Sequence, residues 1–174
     1  FKKHLDVSPA HFRKNSEQYV NESSFSNGIT LDKIEEGTNN ITIEHIDSFT
    51  VIYERIKGNY RSMKKEWCDF IEKYCYLATK DTLYVECTID DPSITNEDNC
   101  MYELCQTISP KELAKINRDD ILTHEFEGGK YAVYHFKGYP DFLFMVYQEM
   151  ICRWLTKTKN QLDEKPVFDI YRDI

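Results

Sequence analysis

From Ile41 onward the apolar positions fall into short runs of two different periods. Val51-Ile52-Tyr53 is a β-prone run that ends at Lys57-Gly58 and Tyr60, after which Met63, Trp67, Phe70, Ile71 and Tyr74 recur three to four residues apart and predict an amphipathic helix. Thr82 to Ile89 then reads as a strand. The same order returns later in the chain. Ala132-Val133-Tyr134 leads to Lys137-Gly138 and Tyr139, Leu143, Tyr147, Met150, Ile151 and Trp154 make the second sticky helical face, and Val167 to Tyr171 is the strand that follows. The pattern predicts a duplicated strand–helix–strand unit. Met101 to Ile108 and Leu122 to Phe126 alternate in part and read as further strands. Gly128-Gly129 offers the positive φ a tight hairpin needs, which predicts that the 122–126 strand runs antiparallel to Lys130 to Phe136. The expected fold class is α+β: two similar halves, a mostly antiparallel sheet and helices packed on it.

Upstream the pattern changes. Ser16 to Asn40 is crowded with Asn, Ser, Glu and Gly and reads as a linker. Residues 1–14 carry Lys2, Lys3, Arg13 and Lys14 against Asp6 alone, a basic excess that the rest of the molecule reverses. Phe1 is no initiator and opens straight onto basic residues, so the chain is expected to be a fragment that starts inside a helix. The expected boundaries are residues 1–18, a linker over 19–40 and one domain over 41–174.

Composition narrows the function classes. With 174 residues, 41% of them apolar, the chain can bury a core. The mean hydropathy is −0.61 and no apolar run approaches the ~18 residues of a membrane span, so no membrane role is expected. No secretory signal is visible. A net charge of −8 opposes non-specific contact with phosphate backbones. The six cysteines lie inside patterned apolar segments without a C-x-x-C, which predicts buried thiols in a reducing cytoplasm rather than disulfides or a zinc site.

Phe1, Lys2-Lys3, Ser8-Pro9 and Phe12-Arg13 resemble the close of the DNA-binding domain of AraC/XylS-type transcription regulators, with Leu5 for the usual aromatic and Asp6 for Gly. Residues 41–174 resemble the effector-binding domain that follows it in many such regulators and occurs alone in gyrase-inhibitory-type proteins. Lys57-Gly58-Asn59-Tyr60 running into Trp67, Asp90 to Thr95, Met101 to Cys105, Gly128 to Tyr134, and Trp154-Leu155 through Pro166 to Tyr171 carry that resemblance. It implies two strand–helix–strand–strand modules with a ligand groove between them. It also makes residues 1–18 the remnant of a helix-turn-helix domain, with Lys2, Lys3 and Arg13 as its DNA-side residues.

The resemblance implies ligand-sensing by a bacterial AraC-family regulator, the ligand being an aromatic, amphipathic or cationic small molecule. The faces of Trp67, Tyr102, Tyr131 and Trp154 are candidates for stacking and cation–π contacts. Asp169 stands where the family usually has its groove Glu, and Glu103 is a second candidate acid. A carboxylate among aromatics is poorly solvated, so it favours a cation as partner. DNA is expected as a partner only through a full-length helix-turn-helix domain, and a homodimer stays open. No cofactor or metal is expected, because the histidines show neither H-x-x-x-H nor H-E-x-x-H spacing. No catalytic residue is expected either: G-x-S-x-G and phosphate-binding glycine loops are missing, and a Cys105–His135 pair more often means an inert buried thiol. Two alternatives are a gyrase-inhibitory-type interaction protein and a small hydrolase using the same groove.

Overall fold

The computed structural model describes residues 37, 39–59, 63–90, 94–117, 120–136, 147 and 152–171. The expectations for residues 1–36, Lys2, Lys3 and Arg13 among them, lie outside these, as do Leu143, Met150 and Ile151 of the second predicted helix. The fold is α+β. Its elements in chain order are β1 (Thr42–Ile46), β2 (Phe49–Lys57), α1 (Met63–Tyr74), β3 (Tyr84–Thr88), β4 (Met101–Thr107), α2 (Pro110–Leu113), β5 (Thr123–Phe126), β6 (Gly129–Val133), α3 (Cys152–Lys157) and β7 (Val167–Tyr171). The chain divides into two compact units, Asp47–Gly129 with Glu164–Ile174, and Phe1–Ile46 with Lys130–Asp163.

The first unit is built on a five-stranded sheet in the order β5-β2-β4-β3-β7. The four pairings are antiparallel. Residues opposite one another in register share a face, so the pairs Ile52↔Gln106↔Tyr84↔Tyr171 and Glu86↔Asp169 all belong to one side. The other side carries Tyr53↔Cys105↔Val85↔Ile170 and Cys87↔Phe168.

Helix α1 presents Trp67, Phe70 and Tyr74 on one face, and they are the residues it buries. They pack on Ile52, Tyr102 and Leu104, with Tyr84 and Tyr171 at the margin. Glu66 in its first turn and Lys73 in its last suit the helix dipole. A 3-10 turn, Cys75–Leu77, tightens its end and satisfies a terminal carbonyl through Ala78 N–H to Cys75 O at 3.1 Å. The opposite face of the sheet has its own core of Val51, Val85, Cys87, Cys105 and Phe126, with Phe49, Tyr53 and Phe168 beside it. Helix α2 starts at Ser109, whose hydroxyl accepts from Glu112 N–H at 3.3 Å and donates to the Glu112 carboxylate at 3.0 Å, with Pro110 in its first turn.

The second unit contains the two-stranded sheet β1-β6, except that Gly129 of β6 belongs to the first, and it contains helix α3. The predicted hairpin at Gly128-Gly129 does not form: β5 pairs with β2, and β6 pairs with β1 in another sheet. The glycines are a departure point between sheets. Gly129 takes φ +151°, and a Cβ there would lie 2.7 Å from Lys165 Nζ. That ammonium donates to the Gly128 carbonyl at 2.9 Å. The second predicted copy is likewise spread over two sheets, since β6 sits beside β1 while β7 completes the edge next to β3. Cys87, Cys100 and Cys105 are buried, but Cys68 and Cys75 on the outer side of α1 and its turn are exposed, against the expectation of buried thiols.

Candidate functional site

Glu86 lies on β3, on the face that α1 covers, and is 6% exposed. Its register partner on β7 is Asp169, half-buried on the same face. Tyr171 Oη donates to Glu86 Oε2 at 3.1 Å. Trp67 stands edge-on to Tyr84 and to Tyr171, with ring centroids 6.0 Å apart in both cases and interplanar angles of 87° and 76°. Phe70 closes the far side of the indole at 5.8 Å. The result is a carboxylate at the end of a frame of four rings. Burial pushes the Glu86 carboxyl up to about 7, the charge of Asp169 adds to the rise, and hydrogen bonding from Tyr171 and Trp67 opposes it. Burial also raises the Tyr171 phenol, with the same two acids adding to the effect, so it stays a donor. Glu86 has no cationic partner among the described residues.

The other buried acid is placed differently. Glu103 is on β4, 5% exposed, and faces the side of the sheet away from α1. Its Oε1 accepts from Arg55 Nε at 2.9 Å and Nη2 at 2.5 Å. Its Oε2 is 3.2 Å from His124 Nε2. Cys105 Sγ lies within 4.8 Å of both. The Tyr53 and His124 rings meet edge to face at 4.7 Å, and Phe126 tilts against the imidazole at 4.7 Å.

Of the six residues singled out in the sequence, Trp67, Tyr102, Glu103 and Asp169 lie in the first unit and Tyr131 and Trp154 in the second. Trp67 and Asp169 come together around Glu86. Tyr102 shares their face but is fully buried in the core beneath α1, so it packs rather than lines an accessible surface. Glu103 lies on the opposite face of the sheet, so Glu103 and Asp169 cannot hold the same ligand atom across it. Tyr131, half-buried on β6, and Trp154, buried on α3, belong to the second unit. The histidine beside Cys105 is His124. Burial, then the charge of Glu103, pushes the Cys105 thiol up, and burial takes Cys87 to about 12. Neither thiol has the thiolate character a nucleophile needs.

Sequence reasoning missed Glu86, Arg55 and His124. For Glu86 the available signal was its place at the centre of a strand whose neighbour in the fold carries Asp169. A separate cleft of about 470 Å³ lies at the C-terminal end of α1, walled by Tyr74, Leu77, Ile116 and Ile121. Of its charged groups, Lys73 pairs with Glu54 at 2.5 Å and Lys115 with Glu112 at 2.7 Å, while Asp120 accepts from the Asn117 amide at 2.8 Å.

Comparison with known proteins bears on the fold. Among solved structures the chain is similar to the EcmrR C-terminal domain, with a TM-score of 0.53 and 14% identity over 67% of this chain and 74% of that one. It is similar to EcmrR in a cryo-EM DNA complex, with a TM-score of 0.55 and 13% identity over 84% of this chain. In that case it spans 56% of the other chain. SAV2435 bound to tetraphenylphosphonium matches with a TM-score of 0.50 and 14% identity over 76% of this chain and 83% of that one. A search of the curated proteins finds no match. The profile of the Cass2 family covers residues 42–174, well over half the sequence, and the chain accordingly belongs to that family of integron-associated effector binding proteins.

Proposed function

We propose that the chain is the ligand-sensing domain of a bacterial AraC-type transcription regulator, and that it takes a lipophilic aromatic cation at Glu86. The observation that carries this reading is a carboxylate 6% exposed, framed by Trp67, Tyr84 and Tyr171 and faced by Asp169. A cation there would exchange water for ring faces, each contributing ~0.5–2 kcal/mol, and would meet a charge that solvent does not neutralise. Support for the ligand class comes from SAV2435, which binds tetraphenylphosphonium. Support for the regulatory setting comes from EcmrR, whose matching region belongs to a protein that contacts DNA. In this reading residues 1–18 close a helix-turn-helix domain that holds DNA through Lys2, Lys3 and Arg13, residues 19–40 link it to the sensor, and the protein works in the cytoplasm.

Trp67 is 8% exposed, so the site is closed over Glu86 as it stands. A ligand must lift the indole, and with it α1, from the sheet. Binding then selects an open form, and the signal it can send is limited by its affinity difference between open and closed forms.

The test uses two ions of one shape and opposite charge, tetraphenylphosphonium and tetraphenylborate. The phosphonium at ~100 times its dissociation constant should add about 2.7 kcal/mol of stability in a thermal-shift assay, and the borate none. Glu86→Gln should remove the effect. Equal stabilisation by both ions, or full binding by Glu86→Gln, would sink the proposal.

A further inference from the structure

The opposite face of the same sheet gathers three donor atoms of three kinds. Glu103 and Cys105 alternate on β4 and so point the same way, and His124 of the edge strand β5 leans over β2 to reach them. All three ligand atoms lie within 4.8 Å of one another. The Glu103 carboxylate is divided: Oε1 is held by Arg55, while Oε2 is left facing the imidazole. His124 Nε2 is buried and, although 3.2 Å from Oε2, is not aligned for a hydrogen bond with it and has no other hydrogen-bond partner among the described residues. A buried imidazole nitrogen aimed at a carboxylate and a thiol, with none of its hydrogen-bonding capacity met, is a group waiting for a ligand of its own.

We propose that Glu103 Oε2, Cys105 Sγ and His124 Nε2 bind a borderline-soft divalent metal ion of the zinc class, with a fourth position open on the partly exposed His124 side. The spacing fits. Two donors about 2.0 Å from a tetrahedral ion stand about 3.3 Å apart, which is the separation of Oε2 and Nε2, and the sulfur has about 1 Å to close. A mixed carboxylate, thiolate and imidazole set favours zinc over magnesium or calcium, which take oxygen alone. The surrounding shell is also that of a metal site. Arg55 orients the carboxylate from its other oxygen, Tyr53 and Phe126 hold the imidazole plane, and Val51 and Val85 shield the sulfur side. On binding, the thiol proton leaves to solvent and Cys105 ligates as thiolate.

Cobalt(II) is the probe, added to the whole chain with Cys68, Cys75 and Cys152 changed to Ser, so that the thiols left are the buried Cys87, Cys100 and Cys105. One equivalent should give a thiolate-to-cobalt charge-transfer band in the near ultraviolet and the intense visible absorption of four-coordinate cobalt, both displaced by zinc. Cys105→Ser should abolish the charge-transfer band. His124→Gln, on an edge strand where the fold tolerates change, should weaken cobalt binding by about a hundredfold or more. No charge-transfer band in the parent, a band that survives Cys105→Ser, or unchanged binding by His124→Gln would each overturn the proposal. Should Cys105→Ser fail to fold, the His124→Gln titration decides alone.

Discussion

At the scale of single residues, two buried glutamates on neighbouring strands have opposite fates. Glu103 has Arg55 and is committed to an ion pair, whereas Glu86 has only donors and a second acid. That difference is measurable as a pH dependence. Glu86 sits near 7 in the folded chain against 4.5 for an ordinary glutamate, so between those values the folded state holds a proton that the unfolded state has lost. Stability contributed by that proton is full below about 4.5 and falls as pH rises to about 7, by at most about 3 kcal/mol. Glu86→Gln should flatten this part of the stability profile and be more stable than the parent at pH 8, as read by urea unfolding. A profile unchanged by the substitution would mean Glu86 is not the group. Cation binding should run the other way, weakening about tenfold per pH unit below about 7 as the carboxylate gains its proton. Groups facing Glu86 are Asp169 and Tyr171 from β7, Trp67 from α1 and Leu104 from β4.

Among the elements, α1 is held by few side chains. Phe70 is 1% exposed at the centre of the helix-covered core, so Phe70→Ala should cost about 3–5 kcal/mol in chemical denaturation. Cys68→Ala, exposed on the same helix, should stay within about 0.5 kcal/mol of the parent. Equal losses at the two positions would contradict the packing described. Gly129→Ala should cost about 1–3 kcal/mol, because φ +151° is open to glycine and not to alanine, while the Lys165 tip can move aside.

The elements were largely readable in advance. The helical spacing from Met63 to Tyr74 and the strands at 84–88, 101–107, 123–126 and 167–171 follow from local periodicity, which is a property of nearby residues. Pairing is not. Gly128-Gly129 announces a change of direction but not whether the next strand returns to its neighbour or leaves for another sheet. Glu86 was hidden for a related reason. It alternates with Val85 and Cys87 and shares a side with Thr82, Tyr84 and Thr88, which looks like a water-facing stripe until α1 is laid over it. The family resemblance marks Asp169 and helical spacing marks Trp67, yet their meeting depends on the β3–β7 register. The Glu103–Cys105–His124 cluster needs two register relations at once, and no spacing rule reaches that far.

For the whole molecule, the sheet of the first unit is assembled from two stretches separated by residues 130–163. Its strand β7 covers the edge of β3, where Val85 and Cys87 are buried. Ending the chain at Asp163 should therefore abolish a cooperative thermal transition followed by circular dichroism, and a truncated chain that melts as sharply as the parent would make β7 an accessory. Membership of the Cass2 family rests on the family profile over residues 42–174, whereas the similarity to EcmrR and SAV2435 rests on the arrangement of the fold, since identities of 13–14% leave few side chains in common.

The late position of β7 also sets a timetable. During translation Glu86 is made long before its counterparts, and a nascent polypeptide has half an acid pair until Tyr171 clears the exit tunnel. A ribosome stalled before the β7 codons would display Trp67 and Glu86 without Asp169 and Tyr171, a chain that carries the helix and the inner strands while the acid's neighbour and its phenol donor are still unmade.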